Sequence, residues 1–289
     1  MSAEPDHSVE RLVSDLLVEA GAERLPESPD VPLTDLGLDS LAVADVALAL
    51  EERMGIRLPD VEGGTVQTMG EIVAAVAGGV PARPVIPKGF GTWRDWAGRA
   101  GGAVIRPYTS MEVVGSERVP ATGPVIIAPN HRSMLDIPVL VVAMPRRVTF
   151  MAKIELYGNP VFSLVWRKLG GFPVRRQIAD LRAVDTALAL LRQGEAVAVY
   201  PEGTRNKRGE PLLPFLQGAT WLALRTGTPI VPCAVRGTGG HERLWKRRHV
   251  RIAFGDRIEV DPEPDLELRR KKQAAMTDQL AEAVASLLE

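Results

Sequence analysis

Hydrophobic residues recur with two different periods along this chain, and the change falls across a Pro/Gly-rich stretch at residues 79–91. Ahead of it, Val9, Leu12, Val13, Leu16 and Leu17 keep the spacing of one helical face, and a loop rich in Pro, Glu and Asp runs on to Thr34. A second helix is expected to start at Ser40 and stop at Gly55. A third is announced by Thr68 and Glu71, the signature of a capping box, ahead of Ile72, Val73 and Val76. This segment reads as a small all-helical bundle. Further on, short β-branched runs at 125–128, 148–151, 196–200, 230–235 and 250–254 read as strands. Leu181, Val184, Leu188 and Leu191 mark a helix ended by Gly194, and residues 266–288 read as a final amphipathic helix. Alternation of this kind predicts an α/β domain around a largely buried sheet.

Charge separates the same two segments. Residues 1–80 hold 16 acidic against 4 basic side chains, net −12, and residues 81–289 hold 20 against 31, net +11, which the overall −1 conceals. Such asymmetry marks modules with different partners, and it lets the acidic one dock on the basic one or on other basic proteins. Cys233 is the only cysteine, so an intrachain disulfide or a multi-cysteine metal site is excluded, and a reducing compartment is expected. No secretory signal pattern opens the sequence, and no apolar run approaches the roughly 20 residues of a membrane span. The expected location is cytoplasmic, with any bilayer contact made from one side.

Ser40 invites two readings. A serine opening a helix is commonly an N-cap whose oxygen accepts a main-chain N–H. Here a long loop presents it, Asp39 precedes it, and the helix that follows is apolar from Leu41 to Leu50 except at Asp45. A phosphodiester on that hydroxyl would also gain from the positive end of the helix dipole. Residues 8–78, in length, acidity and the Gly37-Leu38-Asp39-Ser40-Leu41 motif, resemble an acyl carrier protein. The resemblance implies a four-helix bundle carrying 4′-phosphopantetheine on Ser40, installed by a phosphopantetheinyl transferase. Asp45, Glu51 and Glu52 then stand either as salt-sensitive docking residues or as a solvated helix face.

His131 follows a predicted strand ending at Pro129 and precedes a helix whose first turn is signalled by Ser133 and Asp136. These two could form an ordinary capping box. Alternatively, Asp136 accepts a hydrogen bond from one imidazole nitrogen and leaves the other free to take a proton from a hydroxyl. A second block, Tyr200-Pro201-Glu202-Gly203-Thr204-Arg205, ends another strand and offers a guanidinium fork, a hydroxyl and a flexible glycine suited to an anion. Gly170 to Arg176 brings a basic pair to a strand-like edge, and Pro232 interrupts an apolar strand that contains Cys233, itself read as a core residue.

These four segments, in this order across residues 105–240, resemble the glycerolipid acyltransferase family that includes the 1-acylglycerol-3-phosphate O-acyltransferases. The resemblance implies an α/β domain with a mixed sheet, His131 as general base and Asp136 as its orienting partner. It implies Glu202, Gly203, Thr204 and Arg205 as acceptor-binding residues, Arg176 as a second phosphate contact, and Pro232 as a pocket-shaping residue. Arg175 and the Phe-Pro-Val core of the Arg176 segment depart from the commoner Ile-Phe-Ile type, which leaves the acceptor open. No metal ligand set is expected, and Gly-x-Ser-x-Gly, Gly-x4-Gly-Lys-Ser/Thr and His-Glu-x2-His are missing from the sequence.

The expected organisation is a carrier domain at 1–78, a linker at 79–91 and an acyltransferase domain at 92–289. Its acyl thioester would come from its own carrier domain, a separate acyl carrier protein or acyl-CoA, and its acceptor would be a lipid. Phe90, Trp93, Trp96 and Tyr108 among Lys88, Arg94, Arg99 and Arg106 suit peripheral membrane contact or packing onto the catalytic domain. Arg146-Arg147, Lys246-Arg247-Arg248 and Arg269-Arg270-Lys271-Lys272 could add attraction to anionic lipid or to the carrier, and no nucleic-acid motif accompanies them. Two other functions stay open: a tailoring acyltransferase acting on another hydroxylated or aminated molecule, and a non-catalytic carrier that docks on lipid.

Overall fold

The computed structural model describes residues 7–58, 67–81, 109–175, 180–207, 210–239 and 248–289, which divide into two compact units. The first comprises Met1–Val85 with Arg175–Asp185 and Asp265–Arg270. Within it lie helix α1 (His7–Glu19), a single 3-10 turn (Leu33–Leu36), α2 (Ser40–Met54) and α3 (Met69–Ala77). Val13, Leu16, Leu17, Leu33, Leu36, Val46, Leu50 and Ile72 close its core. The expected helix boundaries hold because each has a local cause. Gly55 ends α2 in the left-handed conformation, and Thr68 and Glu71 exchange the two bonds of a capping box. The all-helical reading needs one correction. Ile56–Arg57 (β1) pairs antiparallel with Val80–Pro81 (β2), and two-residue strands are too short to leave a period in the sequence.

Asp45 is 2 % exposed and forms an ion pair with Arg269 at 3.5 Å inside this same unit, so it does not lie on a solvated face. Glu51 accepts a hydrogen bond from the Leu58 amide at 2.8 Å. Glu52 is exposed.

The second unit comprises Ile86–Val174, Thr186–Pro264 and Lys271–Glu289. Its sheet is built from β3 (Thr109–Val114), β4 (Val125–Pro129), β5 (Val148–Lys153), β6 (Gly171–Val174), β7 (Ala196–Ala198), β8 (Ile230–Arg236) and β9 (Arg248–Phe254), in the order β3-β9-β8-β4-β7-β5-β6. Every pairing is parallel except β8 with β9, so the sheet is mixed, as expected. The helices that follow in sequence are α4 (Asp136–Ala143), α5 (Pro160–Lys168), α6 (Leu181–Arg192), α7 (Gly218–Thr226) and α8 (Leu266–Ser286). Val125 to Pro129 are buried without a break and β8 is buried up to Arg236, the pattern of central strands covered on both faces. That burial confirms Cys233 as a core residue, its thiol pushed above the usual range by burial and then by the charge of Asp136.

Because β4 and β7 are parallel neighbours, with Ile127 opposite Ala198, the segments leaving their carboxyl ends emerge side by side. One leads to His131 and the other to Glu202. A crevice beyond the carboxyl ends of parallel strands is where open α/β sheets bind ligands.

Basic residues expected to attract lipid are partly committed elsewhere. The Arg146 guanidinium donates to the carbonyls of Pro120, Gly123 and Gly194, closing three loop ends, and Arg248 donates to those of Thr238 and Gly239. Arg147 stays exposed. Lys246, Arg247, the aromatic stretch from Lys88 to Tyr108, and the expected linker from residue 82 onward fall outside the described residues.

Candidate active site

The loop after β4 is fixed before any catalytic chemistry is considered. Asn130 is fully buried, and its side-chain amide accepts from the Val235 amide at 2.7 Å and donates to the Val235 carbonyl at 3.2 Å. The next residue is held from both sides. Its N–H donates to Glu202 Oε1 at 2.6 Å, and its carbonyl accepts from the Asn206 amide at 2.7 Å. A histidine whose backbone is held through both its N–H and its carbonyl has a ring with little freedom.

The ring meets a buried carboxylate. His131 Nδ1 lies 2.8 Å from Asp136 Oδ2, and both side chains are almost wholly enclosed. The same oxygen accepts from the amides of Arg132 at 2.6 Å and Ser133 at 2.7 Å. An oxygen already acting as acceptor for two main-chain N–H groups accepts from the ring too, which puts the imidazole proton on Nδ1 and leaves the Nε2 lone pair outward. Nε2 has no hydrogen bond among the described residues, and it is not among the atoms both sealed from solvent and unpartnered. A general base needs an open lone pair of this kind.

The capping-box reading of Ser133 and Asp136 is thereby corrected. Leu135 is the residue preceding α4 and offers no side-chain cap, and Ser133 Oγ accepts from Leu135 N rather than from Asp136 N. Asp136 reaches back to main-chain N–H groups as a box glutamate would, but it gathers the imidazole with them.

The second block divides by role. Glu202, 4 % exposed, uses Oε1 on His131 N and Oε2 on Leu213 N at 2.9 Å, so both oxygens hold main chain. Gly203 has φ +60°, a left-handed conformation that strains a residue bearing a side chain, so this turn favours glycine. Thr204 is exposed and Arg205 half-buried, and neither makes a hydrogen bond or ion pair among the described residues. These two are the polar side chains of the block left unengaged there. Pro232 is buried in β8 opposite Ala128, with its carbonyl accepting from Gly255 N. Arg176 lies outside the described residues. Arg175, just before it, has its amide bound by Asp180.

Sequence reasoning gave no role to Asn130 or Asn206. Asn130 sat inside the quoted motif, but only three-dimensional pairing with Val235 reveals it as the loop's anchor.

In the first unit Asp39 caps α2, its Oδ1 accepting from Leu41 N at 3.0 Å and Ala42 N at 2.8 Å. The N-cap reading of Ser40 is therefore overturned. Ser40 is the first helical residue, exposed, with its hydroxyl making no hydrogen bond among the described residues. An unobstructed hydroxyl at the positive end of a 15-residue helix fits a phosphodiester attachment.

Comparison with known proteins agrees with this division. Residues 9–76 match the family model for a phosphopantetheine attachment site, and residues 110–236 match the acyltransferase family model. A 1-acyl-sn-glycerol-3-phosphate acyltransferase of Bacillus subtilis is 29% identical over 178 residues, covering 61% of this chain and 87% of that protein. The human 1-acyl-sn-glycerol-3-phosphate acyltransferase beta is 38% identical over 127 residues, 42% of this chain and 45% of the human protein, so the chain spans under half the length of such longer relatives. The crystal structure of PlsC, the 1-acyl-sn-glycerophosphate acyltransferase of Thermotoga maritima, superposes with a TM-score of 0.50 at 25% identity, covering 65% of this chain and 78% of that one. Residues 9–76 thus form a phosphopantetheine-attachment domain and residues 110–236 an acyltransferase domain, and the relatives similar to the second are named 1-acyl-sn-glycerol-3-phosphate acyltransferases.

Proposed function

We propose that this protein moves a fatty acyl group from a phosphopantetheine thioester to a hydroxyl of a lysophospholipid or glycerol-phosphate-type acceptor. The observation that carries the reading is the His131–Asp136 pair at 2.8 Å, its Nε2 unpartnered among the described residues, at the carboxyl end of a central parallel strand. In this reading residues 1–78 are the carrier, 79–91 the tether and 92–289 the catalytic domain. Phosphopantetheine bound at Ser40 supplies a thiol that holds the acyl group as a thioester, activated for transfer to oxygen.

His131 Nε2 takes the proton of the acceptor hydroxyl as its oxygen bonds to the thioester carbonyl carbon. Asp136 holds the ring with Nδ1 protonated and stabilises the imidazolium that forms. The carbonyl re-forms as the C–S bond breaks, and the proton passes from His131 to the departing sulfur, so no acyl-enzyme and no metal is required. Thr204 and Arg205 bind the acceptor phosphate, with Arg176 as a further contact, and Gly203 gives them their turn. Glu202 serves the site by holding main chain.

No helix among the described residues is long and apolar enough to cross a membrane. A lipid acceptor would be met from one side of a bilayer, and the reducing interior of the cell suits the single buried thiol.

The test is to pantetheinylate the full-length protein, load it with an acyl group, and follow by mass spectrometry which acceptors discharge it. Discharge onto lysophosphatidate or glycerol 3-phosphate is the expected result. Discharge only onto non-phosphorylated hydroxyls or amines would replace this acceptor with that of a tailoring enzyme, and no discharge onto any of them would leave a carrier without turnover.

A further inference from the structure

Behind the catalytic ring lie two polar atoms with nothing to bind. Asp136 Oδ2 takes three N–H donors, while Oδ1 of the same carboxylate is sealed from solvent with no hydrogen-bond partner among the described residues. The hydroxyl of Tyr200 is in the same condition. An unsatisfied buried carboxylate oxygen and an unsatisfied buried phenol are each costly, and the two are complementary, one an acceptor and the other a donor.

They also share one pocket. The Tyr200 ring packs against the His131 ring with centroids 4.4 Å apart at 39°. Burial first, then the charges of Asp136 and Cys233, push the Tyr200 phenol well above its ordinary range, so it keeps its proton. Cys233, the other neighbour, is a fully buried thiol and a weak donor.

We propose that Tyr200 is a positioning residue, its hydroxyl donating to Asp136 Oδ1 through one buried water and so setting how strongly Oδ2 binds the His131 ring. Buried polar atoms without a direct protein partner are the groups that ordered internal water satisfies. Tyr200 acts through Asp136 and touches no substrate. Its ring closes the back of the imidazole, and its oxygen completes the carboxylate's set of donors. The proposal rests on His131 being the working base only for its effect on turnover, since the hydrogen-bond chain exists whether or not His131 turns over substrate.

Tyr200→Phe keeps the ring and deletes one oxygen. In the full-length protein it should change kcat about tenfold while leaving KM for acyl donor and acceptor within about twofold, the signature of a group that acts on the transition state only. Independently of turnover, the Nδ1 proton resonance of His131, assigned by its loss in His131→Gln, should move downfield, because a carboxylate deprived of a donor at Oδ1 accepts more strongly at Oδ2. Cys233→Ala disturbs the packing of the same pocket without removing the donor, and should leave that resonance in place. An unmoved resonance in folded Tyr200→Phe overturns the proposal, as does an equal shift in Cys233→Ala. Should Tyr200→Phe fail to fold, the test passes to 3-fluorotyrosine at position 200, whose more acidic hydroxyl should move the resonance upfield, and no movement again overturns it. A moved resonance with unchanged kcat would preserve the chain and remove His131 from the chemistry, so the two readings fail separately.

Discussion

Two helices in this protein start around an aspartate and a nearby serine, and the two starts are put to opposite uses. At α2 the Asp39 carboxylate is exposed and bonds the amides of Leu41 and Ala42. At α4 the Asp136 carboxylate is fully buried, and one oxygen collects the amides of Arg132 and Ser133 together with the His131 ring. In both places a carboxylate satisfies main-chain N–H groups around a helix start. The consequence differs with what else is within reach. Asp39 takes over the cap, which leaves the Ser40 hydroxyl outward and unengaged. Asp136 sits one turn from a histidine whose backbone Glu202 and Asn206 already hold, so the same capping chemistry orients an imidazole.

The largest effects test whether these uses are separate. Ser40→Ala should abolish covalent pantetheinylation outright, seen as loss of the mass increment after treatment with a phosphopantetheinyl transferase. Transfer from a separately supplied acyl thioester should continue. Loss of both would mean that the serine supports the fold or that no external donor is accepted. His131→Ala should reverse the pattern, leaving the mass increment intact and lowering transfer by roughly 10² to 10⁴ if acid–base catalysis is the histidine's role. Near-normal turnover in single-turnover assays would break the α4 half of the comparison.

The sequence made these two starts look more alike than they are. Period and turn residues sufficed for β4, β5, β7, β8, β9 and the long helices, because those segments are either buried on both faces or amphipathic. They failed where burial is graded. β3 passes from buried Thr109 to exposed Val114 without alternating, so no strand period marks it. Helices α5 and α7, nine residues each, were not anticipated either. At the site, the residue types were legible but their division of labour was not. Glu202 stands beside Thr204 and Arg205 in the chain and is read with them as a ligand contact. Its bond to His131 comes from strands brought together by the sheet order and its bond to Leu213 from the path of its own loop, neither of which local sequence encodes. The Ser/Asp caps were ambiguous for a related reason, since which oxygen reaches which N–H depends on one or two residues of backbone path.

A middle-sized effect sharpens the α4 side. In Glu202→Gln one of the two amides bound by this side chain faces an NH2 group instead of an acceptor. Leaving a buried donor unmatched costs about 1–3 kcal/mol. Urea unfolding should show that loss, and kcat should fall with it because the His131 amide is one of the two that depend on this side chain. Weakened acceptor binding at unchanged stability would instead return Glu202 to the acceptor site.

The smallest effect bears most directly on α2. Asp39→Ala removes a cap that bonds two amides, and such losses cost about 1 kcal/mol. Ser40→Ala, one residue away, removes a hydroxyl with no structural bond and should change stability by less than about 0.5 kcal/mol, as exposed substitutions do. Adjacent residues can couple, so the double variant is informative: if the serine has no capping role, Asp39→Ala and Ser40→Ala should add to within about 0.3–0.5 kcal/mol. A serine that turns inward once the aspartate is gone would show up as a larger cost for Ser40→Ala in the Asp39→Ala background. That coupling would mean the two residues compete for one cap, and that Ser40 stays outward because Asp39 holds the position first.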